Sequence, residues 1–153
     1  CWTVVVVLDL VTTGIAYKYV IQGKLAEGPC GRTVILLEQD ERDLLLAEMR
    51  VFLERVQQIT GVIAADDMQQ VVESSRKSGR NAQMAVPGSL IGKLPLAFKK
   101  LGSDTHRKFD ELALDAEQLG DRDHALSQLG VLLDNCVTCH AAYRFDVTAD
   151  DPA

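Results

Sequence analysis

Two cysteines and a histidine lie close together near the C-terminus. Cys136 and Cys139 are separated by Val137 and Thr138, and His140 follows at once. On a helix the two sulfurs lie nearly one turn apart, so both can reach the vinyl groups along one edge of a porphyrin. His140, four residues after Cys136, then projects toward the iron as an axial ligand. The motif therefore predicts one covalently bound haem c.

Other uses of a Cys-x-x-Cys pair fit the sequence less well. A zinc site needs a second pair of ligands, and a thioredoxin-like redox pair needs a strand before the motif. The sequence predicts neither, which leaves a reactive dithiol or a partial metal site as the weaker alternative. It also contains no phosphate-binding glycine loop, nucleophile elbow or His-Glu metalloprotease pattern.

Before the motif, the hydrophobic pattern predicts four amphipathic helices and no alternating strand. The first is capped by Asp40 and carries an apolar stripe that runs from Leu45 to Ile63 and includes Met49. Glu48 is expected to face away from this stripe. The last helix is capped by Asp121. Its stripe has the same spacing and is formed by Leu126, Leu129, Leu133, Cys136 and His140.

Two further helices are predicted between these. The second is capped by Asp66 or Asp67 and ends around Gly79. The third runs from Ser103 to Gly120, and its stripe is formed by His106, Phe109, Ala113 and Ala116. Residues 77–95 are rich in glycine and proline and read as a long connection. Four such helices imply an all-α fold, an antiparallel four-helix bundle with the haem motif on its C-terminal helix.

The segment NCVTCHAAYR, at residues 135–144 on the last predicted helix, resembles the class II cytochromes c, which include cytochrome c-prime and its low-spin relatives. The resemblance covers roughly residues 40–146 and is specific at the haem motif and at Tyr143 and Arg144 after it. It implies that the haem lies among the helices and that a residue from the first helix covers the distal side of the iron. It also implies that Arg144 lies close to the haem propionates.

Low-spin members of that family have an axial methionine on the first helix, and Met49 lies at the corresponding place. His/Met ligation by His140 and Met49 raises the reduction potential and suits electron transfer. The alternative is that Met49 only fills the core, as methionine at helical spacing usually does. His106, Met68 and Met84 are rival sixth ligands.

Residues 2–21 read WTVVVVLDLVTTGIAYKYVI, and as a helix they would be about 30 Å long, enough to cross a bilayer. A cleaved secretory signal has a shorter apolar core, whereas this segment ends in Tyr17, Lys18 and Tyr19, which suit a membrane interface. We therefore expect one transmembrane helix that precedes the bundle. Asp9 either faces a polar group on another membrane subunit or is tolerated in an otherwise apolar helix.

The expected layout is an anchor, a linker, a haem domain and a tail, at residues 1–21, 22–39, 40–146 and 147–153. Cys1 is either a lipidated terminus or the start of a shortened chain, and Cys30 in the linker has no evident partner. Bacteria attach haem of this kind on the periplasmic side. We therefore expect an inner-membrane protein whose haem domain lies in the periplasm, although Lys18 and Lys24 on that side run against the positive-inside tendency.

The formal net charge of -6, without a cluster of Lys and Arg, argues against nucleic acid as a partner. The expected function is electron transfer without enzymatic catalysis, as a tethered carrier or a subunit of a respiratory or photosynthetic complex. One alternative is a five-coordinate haem that binds NO or CO, with Leu45, Phe52 and Leu53 forming an apolar distal pocket. The other is an accessory structural subunit of a membrane complex. A homodimer is compatible with the class II resemblance.

Overall fold

The computed structural model describes residues 2–83 and 86–148 and is mostly helical. In chain order its elements are α1 (Trp2–Ala16), a π-helical turn (Tyr17–Gln22), β1 (Leu25–Glu27), a 3-10 turn (Pro29–Gly31), β2 (Thr33–Leu37), α2 (Gln39–Ala64), α3 (Met68–Arg76), α4 (Arg80–Gln83), α5 (Gly88–Lys93), α6 (Leu96–Leu119), α7 (Arg122–Ala142) and β3 (Tyr143–Val147). Cys1, Met84 and residues 149–153 of the predicted tail lie outside the described residues.

The N-terminal helical segment is long and apolar enough to cross a membrane. Together, α1 and the π-helical turn span Trp2–Gln22, 21 residues whose most apolar stretch has a mean hydropathy of 1.8. None of this stretch is buried against the rest of the protein. By length and composition, the segment agrees with the predicted anchor.

A tightly packed glycine joins this segment to the rest of the protein. Gly23 has a φ of 73°, and a Cβ atom there would overlap the carbonyl oxygen of Lys93 at the end of α5. The Lys24 amide donates to the same oxygen at 2.8 Å. The Lys99 ammonium, on α6, donates to the Tyr19 carbonyl at 3.3 Å. These contacts hold the end of the apolar segment against α5 and α6.

We expect Gly23→Ala to lower the free energy of unfolding by about 1–3 kcal/mol, because alanine combines an unfavourable positive φ with steric overlap at Lys93. Denaturant unfolding of the detergent-solubilised chain measures the loss. Gly14→Ala is the matched control, since nothing lies within 4 Å of a Cβ built at Gly14. A Gly23→Ala chain as stable as the unmodified protein would show that this junction is not rigid.

Four helices share one hydrophobic core. Buried apolar side chains from α2, α3, α6 and α7 form a single cluster, to which each helix contributes at least two residues. The stripes predicted for the first and third helices point into the protein as expected. Their buried members are Leu45, Ile59 and Ile63 on α2 and His106, Phe109, Ala113 and Ala116 on α6.

Two helices begin earlier than predicted. The N-cap residue of α2 is Glu38, not Asp40, because the Glu38 amide donates to the Glu41 carboxylate at 2.9 Å in a capping-box arrangement. α6 begins at Leu96 and not at Ser103. The residue before it is a proline, whose fixed φ suits the start of a helix.

Three other predicted helix boundaries are confirmed, whereas α3 ends at Arg76 and not at the predicted Gly79. Asp67 caps α3 by accepting a hydrogen bond from the Gln70 amide at 3.0 Å. Asp121 caps α7 by accepting one from the His124 amide at 3.0 Å. Gly120 ends α6 with a φ of 61°, the left-handed conformation in which glycine commonly stops a helix.

A small three-stranded sheet departs from the all-α prediction. β2 lies in the centre, antiparallel to β1 and parallel to β3. Residues 22–39, where a linker was expected, therefore contain two strands. The pairing of Thr33 with Tyr143 joins distant parts of the chain. The four apolar residues in a row that follow Thr33 give no local sign of such a partner.

One face of the sheet closes a second core cluster beside the haem motif. The buried members of this cluster are Ile35, Leu37, Leu45, Leu90, Leu94 and Phe98. The Phe98 ring packs edge-on against Tyr143 at 5.6 Å and Phe145 at 5.7 Å, measured between ring centroids. Met49 and Cys139 border the same cluster. The sheet thus positions the C-terminal end of α7.

Candidate functional site

The predicted haem motif lies in the last two turns of α7. Cys136 and Cys139 are half-buried free thiols, and His140 is exposed. The helix continues without a break to Ala142, so the two thiols lie three residues apart on a regular helix. β3 follows directly, and its pairing with β2 holds the chain just beyond His140.

Met49 on α2 and His140 on α7 line the same three cavities, which share other lining residues. Each thiol borders two of the three cavities, and one cavity is bordered by both thiols. We name them the apolar cleft, of about 560 Å³, the arginine cavity, of about 140 Å³, and the inner cavity, of about 90 Å³. The apolar cleft is lined by Leu46, Met49, Arg50, Phe52, Leu53, Val56, Phe109, Leu132, Leu133, Cys136, Val137 and His140.

The apolar cleft opens to solvent through hydrophobic side chains. Leu53 is 71% exposed and Val137 69%, on α2 and α7 respectively. Exposed apolar side chains on two facing helices are typical of a groove that holds a ligand. The volume of the cleft lies within the range of roughly 300–1,000 Å³ that is common for small-molecule and cofactor sites. Met49 and Phe52 are only half-buried because they border this open space.

His106, a rival ligand, lies on the wall of the inner cavity with both ring nitrogens engaged. Its Nδ1 atom is 2.8 Å from the Ser78 carbonyl oxygen, and its Nε2 atom is 3.5 Å from the Glu48 carboxylate. Burial alone would lower the pKa of His106, but the Glu48 carboxylate and the Ser78 carbonyl outweigh it and raise the pKa above its usual value. The Phe52 ring packs edge-on against the imidazole at 5.0 Å.

Met68 and His124 lie away from these cavities. Met68, at the start of α3, packs against the core shared by the four helices. Met84 is outside the described residues. His124, in the first turn of α7, lies 3.1 Å from the Asp115 carboxylate and about 24 Å along the helix from His140 by helical rise.

The arginine cavity lies beside His140, where α7 meets the sheet. Arg144 of β3 lines it, and Arg32, just before β2, lines it as well. The Arg144 guanidinium is 3.3 Å from the Asp146 carboxylate. The structure therefore places Arg144 in the same cavity as His140. The full lining is Arg32, Leu46, Met49, Phe98, Cys139, His140, Tyr143, Arg144 and Phe145.

A buried polar network fixes α7 against α6 directly before the first cysteine. The Asn135 amide donates to the Asp104 carboxylate at 2.8 Å and accepts from the Lys108 ammonium at 2.9 Å. The hydrogen bond from Asn135, with the Arg107 guanidinium next in importance, lowers the pKa of Asp104 to about 2. This network was not predicted. Its one sequence signal is a polar residue beside the inward-facing Cys136 on α7.

We expect the stability that Asp104 contributes to be lost as the pH falls from about 4 towards 2. The folded-state pKa of Asp104 lies below its ordinary value of 3.8, so the unfolded chain binds the proton first. The difference in unfolding free energy between the unmodified chain and Asp104→Asn should therefore be largest above pH 4 and shrink in acid. Urea unfolding across this pH range measures it, with Asp134→Asn on the exposed side of α7 as the control. A difference that does not change with pH would contradict this assignment.

The two thiols are poorly suited to dithiol chemistry or to a bare metal site. Burial raises the pKa of Cys136, and burial together with the neighbouring Cys136 raises the pKa of Cys139 to about 11. Reactive cysteines have lowered pKa values in electropositive surroundings. Within residues 2–83 and 86–148, no group of three or more His, Cys, Asp or Glu side chains is placed to hold a metal ion.

Two residues at the site were missed in the sequence. Arg32 lies in the predicted linker, and only the pairing of β2 with β3 brings it to the cavity, so no local signal marks it. Glu48 was expected to face away from the core, but it turns towards His106 and is half-buried. Its signal was weak, because a position next to an apolar stripe can face either way.

No known protein family, curated protein or solved structure matches this chain.

Proposed function

We propose that this chain is a membrane-anchored c-type cytochrome, similar to the low-spin class II cytochromes c, that transfers electrons. In this proposal Cys136 and Cys139 attach one haem, and His140 and Met49 are its axial ligands. The bound haem would supply the one-electron chemistry at its iron. One observation carries the proposal: Met49 and His140, on different helices, line the same three cavities, each of which is bordered by at least one of the two thiols.

The lining of the apolar cleft suits a porphyrin. Leu46, Phe52 and Val56 on α2 face Leu132 and Leu133 on α7 and would exclude water from both faces of the ring. Exclusion of water favours a raised reduction potential, because the less charged reduced form is then destabilised less than the oxidised form. Cys136, at the edge of the cleft, and Cys139, on the wall of the adjoining inner cavity, are half-buried and remain open to the cofactor.

The helical packing supports the likeness to the class II family. α2, α3, α6 and α7 share one core, which we interpret as an antiparallel four-helix bundle. The apolar cleft then lies between the first and last helices of this bundle. α4, α5 and the sheet are additions at its edges, and the sheet closes the end next to His140.

Met49 is the best supported sixth ligand. It borders every cavity that His140 borders, and its thioether has no competing role as a hydrogen-bond donor. His106 packs against Phe52 and would have to give up the contact with Glu48 or with Ser78 to bind iron.

The apolar N-terminal segment would hold the haem domain at the membrane surface. In a bacterial inner membrane, with the haem domain in the periplasm, tethering raises the effective concentration of the domain near redox partner proteins or within a larger complex. This arrangement suits a carrier or a subunit of a respiratory or photosynthetic complex.

Absorption spectra of the purified full chain test this function, after production with periplasmic haem attachment. We expect a low-spin oxidised spectrum with the weak red charge-transfer band of methionine bound to iron, and slow or no CO binding after reduction. A colourless chain would contradict the proposal. A high-spin spectrum with rapid CO binding would replace electron transfer by gas binding.

A further inference from the structure

The arginine cavity has the size and charge of a site for a carboxylate. Its volume of about 140 Å³ is too small for a porphyrin, but it shares Leu46, Met49 and His140 with the apolar cleft. Arg32 and Arg144 line it, and no carboxylate does so among the described residues. The apolar space and the cationic space therefore meet at His140.

Arg32 has no partner within the part of the chain that the structure describes. Its half-buried side chain forms no hydrogen bond and no ion pair there. Arg144, by contrast, reaches Asp146 at 3.3 Å, and that carboxylate is more than half exposed. A guanidinium that is partly desolvated and unpaired favours an anion beside it, and its fork of donors matches a carboxylate.

The sheet holds Arg32 at this cavity. The register pairs Thr33 with Tyr143 and Val34 with Arg144, so the residue before β2 lies next to the start of β3. At the turn between β1 and β2, a Cβ built at Gly28 would lie 2.6 Å from the Arg32 carbonyl oxygen and 3.6 Å from Cδ of Arg144. The hairpin thus packs directly onto Arg144.

We propose that Arg32 completes a carboxylate-binding subsite for a propionate of the haem, beside Arg144, whose place near the propionates the class II resemblance already implies. The inference rests on the proposed function and extends the cofactor site to the N-terminal hairpin, outside the helical core. Each guanidinium adds positive charge beside the haem and so disfavours the more positive oxidised form. Arg32 is a positioning and charge-tuning residue in this arrangement, and haem attachment through Cys136 and Cys139 does not require it.

Redox titration of the full haem-bearing chain in detergent tests the role of Arg32. Relative to the unmodified chain, we expect Arg32→Gln to lower the equilibrium constant for reduction about threefold. For a one-electron couple, where a tenfold change corresponds to 59 mV, the reduction potential then falls by ~28 mV. Arg32→Lys keeps the charge and should restore most of the shift. Arg76→Gln is the control, because Arg76 lies on α3 and pairs with Glu117 at 2.6 Å. Denaturant unfolding of each variant checks that the fold is retained.

A haem-bearing, folded Arg32→Gln chain with an unchanged potential would overturn the subsite. So would an equal shift in Arg76→Gln, or no recovery in Arg32→Lys. Phosphate added at constant ionic strength distinguishes a bound free anion from a propionate. If the reduction potential of the unmodified chain changes with phosphate concentration, the cavity binds a free anion and the inference is overturned. A chain without haem has no potential to measure and contradicts the proposed function itself.

Discussion

A double Cys136→Ala/Cys139→Ala variant should lose all haem that survives denaturation. The two thioether links are the only covalent bonds that the proposal places between polypeptide and cofactor, so their removal leaves haem held by ligation and packing alone. Haem staining after denaturing electrophoresis measures the covalently bound fraction. We expect no stain from the double variant and a strong stain from the unmodified chain. Each single variant keeps one link and should stain weakly.

Cys30→Ala provides the matched control for this experiment. Cys30 is an exposed free cysteine in the 3-10 turn between β1 and β2, away from the cavities that both haem-motif thiols border. Its replacement should leave the stain unchanged. Stain that persists in the double variant would show that other residues attach the cofactor, and loss of stain in Cys30→Ala would point to a general failure of maturation.

Met49→Ala should abolish the red charge-transfer band and lower the reduction potential by on the order of 100 mV or more. Axial ligands set haem potentials over a range of roughly 0.8 V, and a methionine ligand raises the potential. Alanine removes the thioether and also enlarges the cleft, which admits water to the distal side. Absorption spectra and a redox titration of the haem-bearing variant measure both effects.

Met68→Ala separates ligation from the loss of a buried methionine. Met68 packs against the core shared by the four helices, so its replacement costs packing without touching the cavities that Met49 borders. We expect the band and the potential of Met68→Ala to stay near those of the unmodified chain. A Met49→Ala chain that keeps the band would move the sixth ligand to another residue.

Local signals in the sequence were sufficient for the presence of the four core helices, but the stripe predicted for the last helix was wrong, since Leu129 is its only buried member. The alternating steps from Leu45 to Ile63 predicted one face of α2, and the structure buries Leu45, Ile59 and Ile63 on it. Asp67 and Asp121 were recognisable as caps because each precedes an amphipathic run. The spacing of Cys136 and Cys139 placed both thiols on one helix, as the structure has them.

The features that escaped prediction depend on contacts between distant parts of the chain. β2 has only five residues, and its pairing with β3 across more than a hundred positions leaves no periodic trace. Arg32 reaches the cavity beside His140 only through that pairing. Asn135 and Asp104 find each other across the α6–α7 interface, where helical periodicity indicates a face but not a partner.

The intact mass of the denatured full chain tests the central claim most directly. Acidified organic solvent removes haem that is not covalently bound, and mass spectrometry of the remaining polypeptide then reports what is still attached. We expect the mass of the polypeptide plus one haem, with the added mass mapping to the peptide that contains Cys136 and Cys139. A mass equal to that of the polypeptide alone, for a chain produced with active haem attachment, would contradict the account.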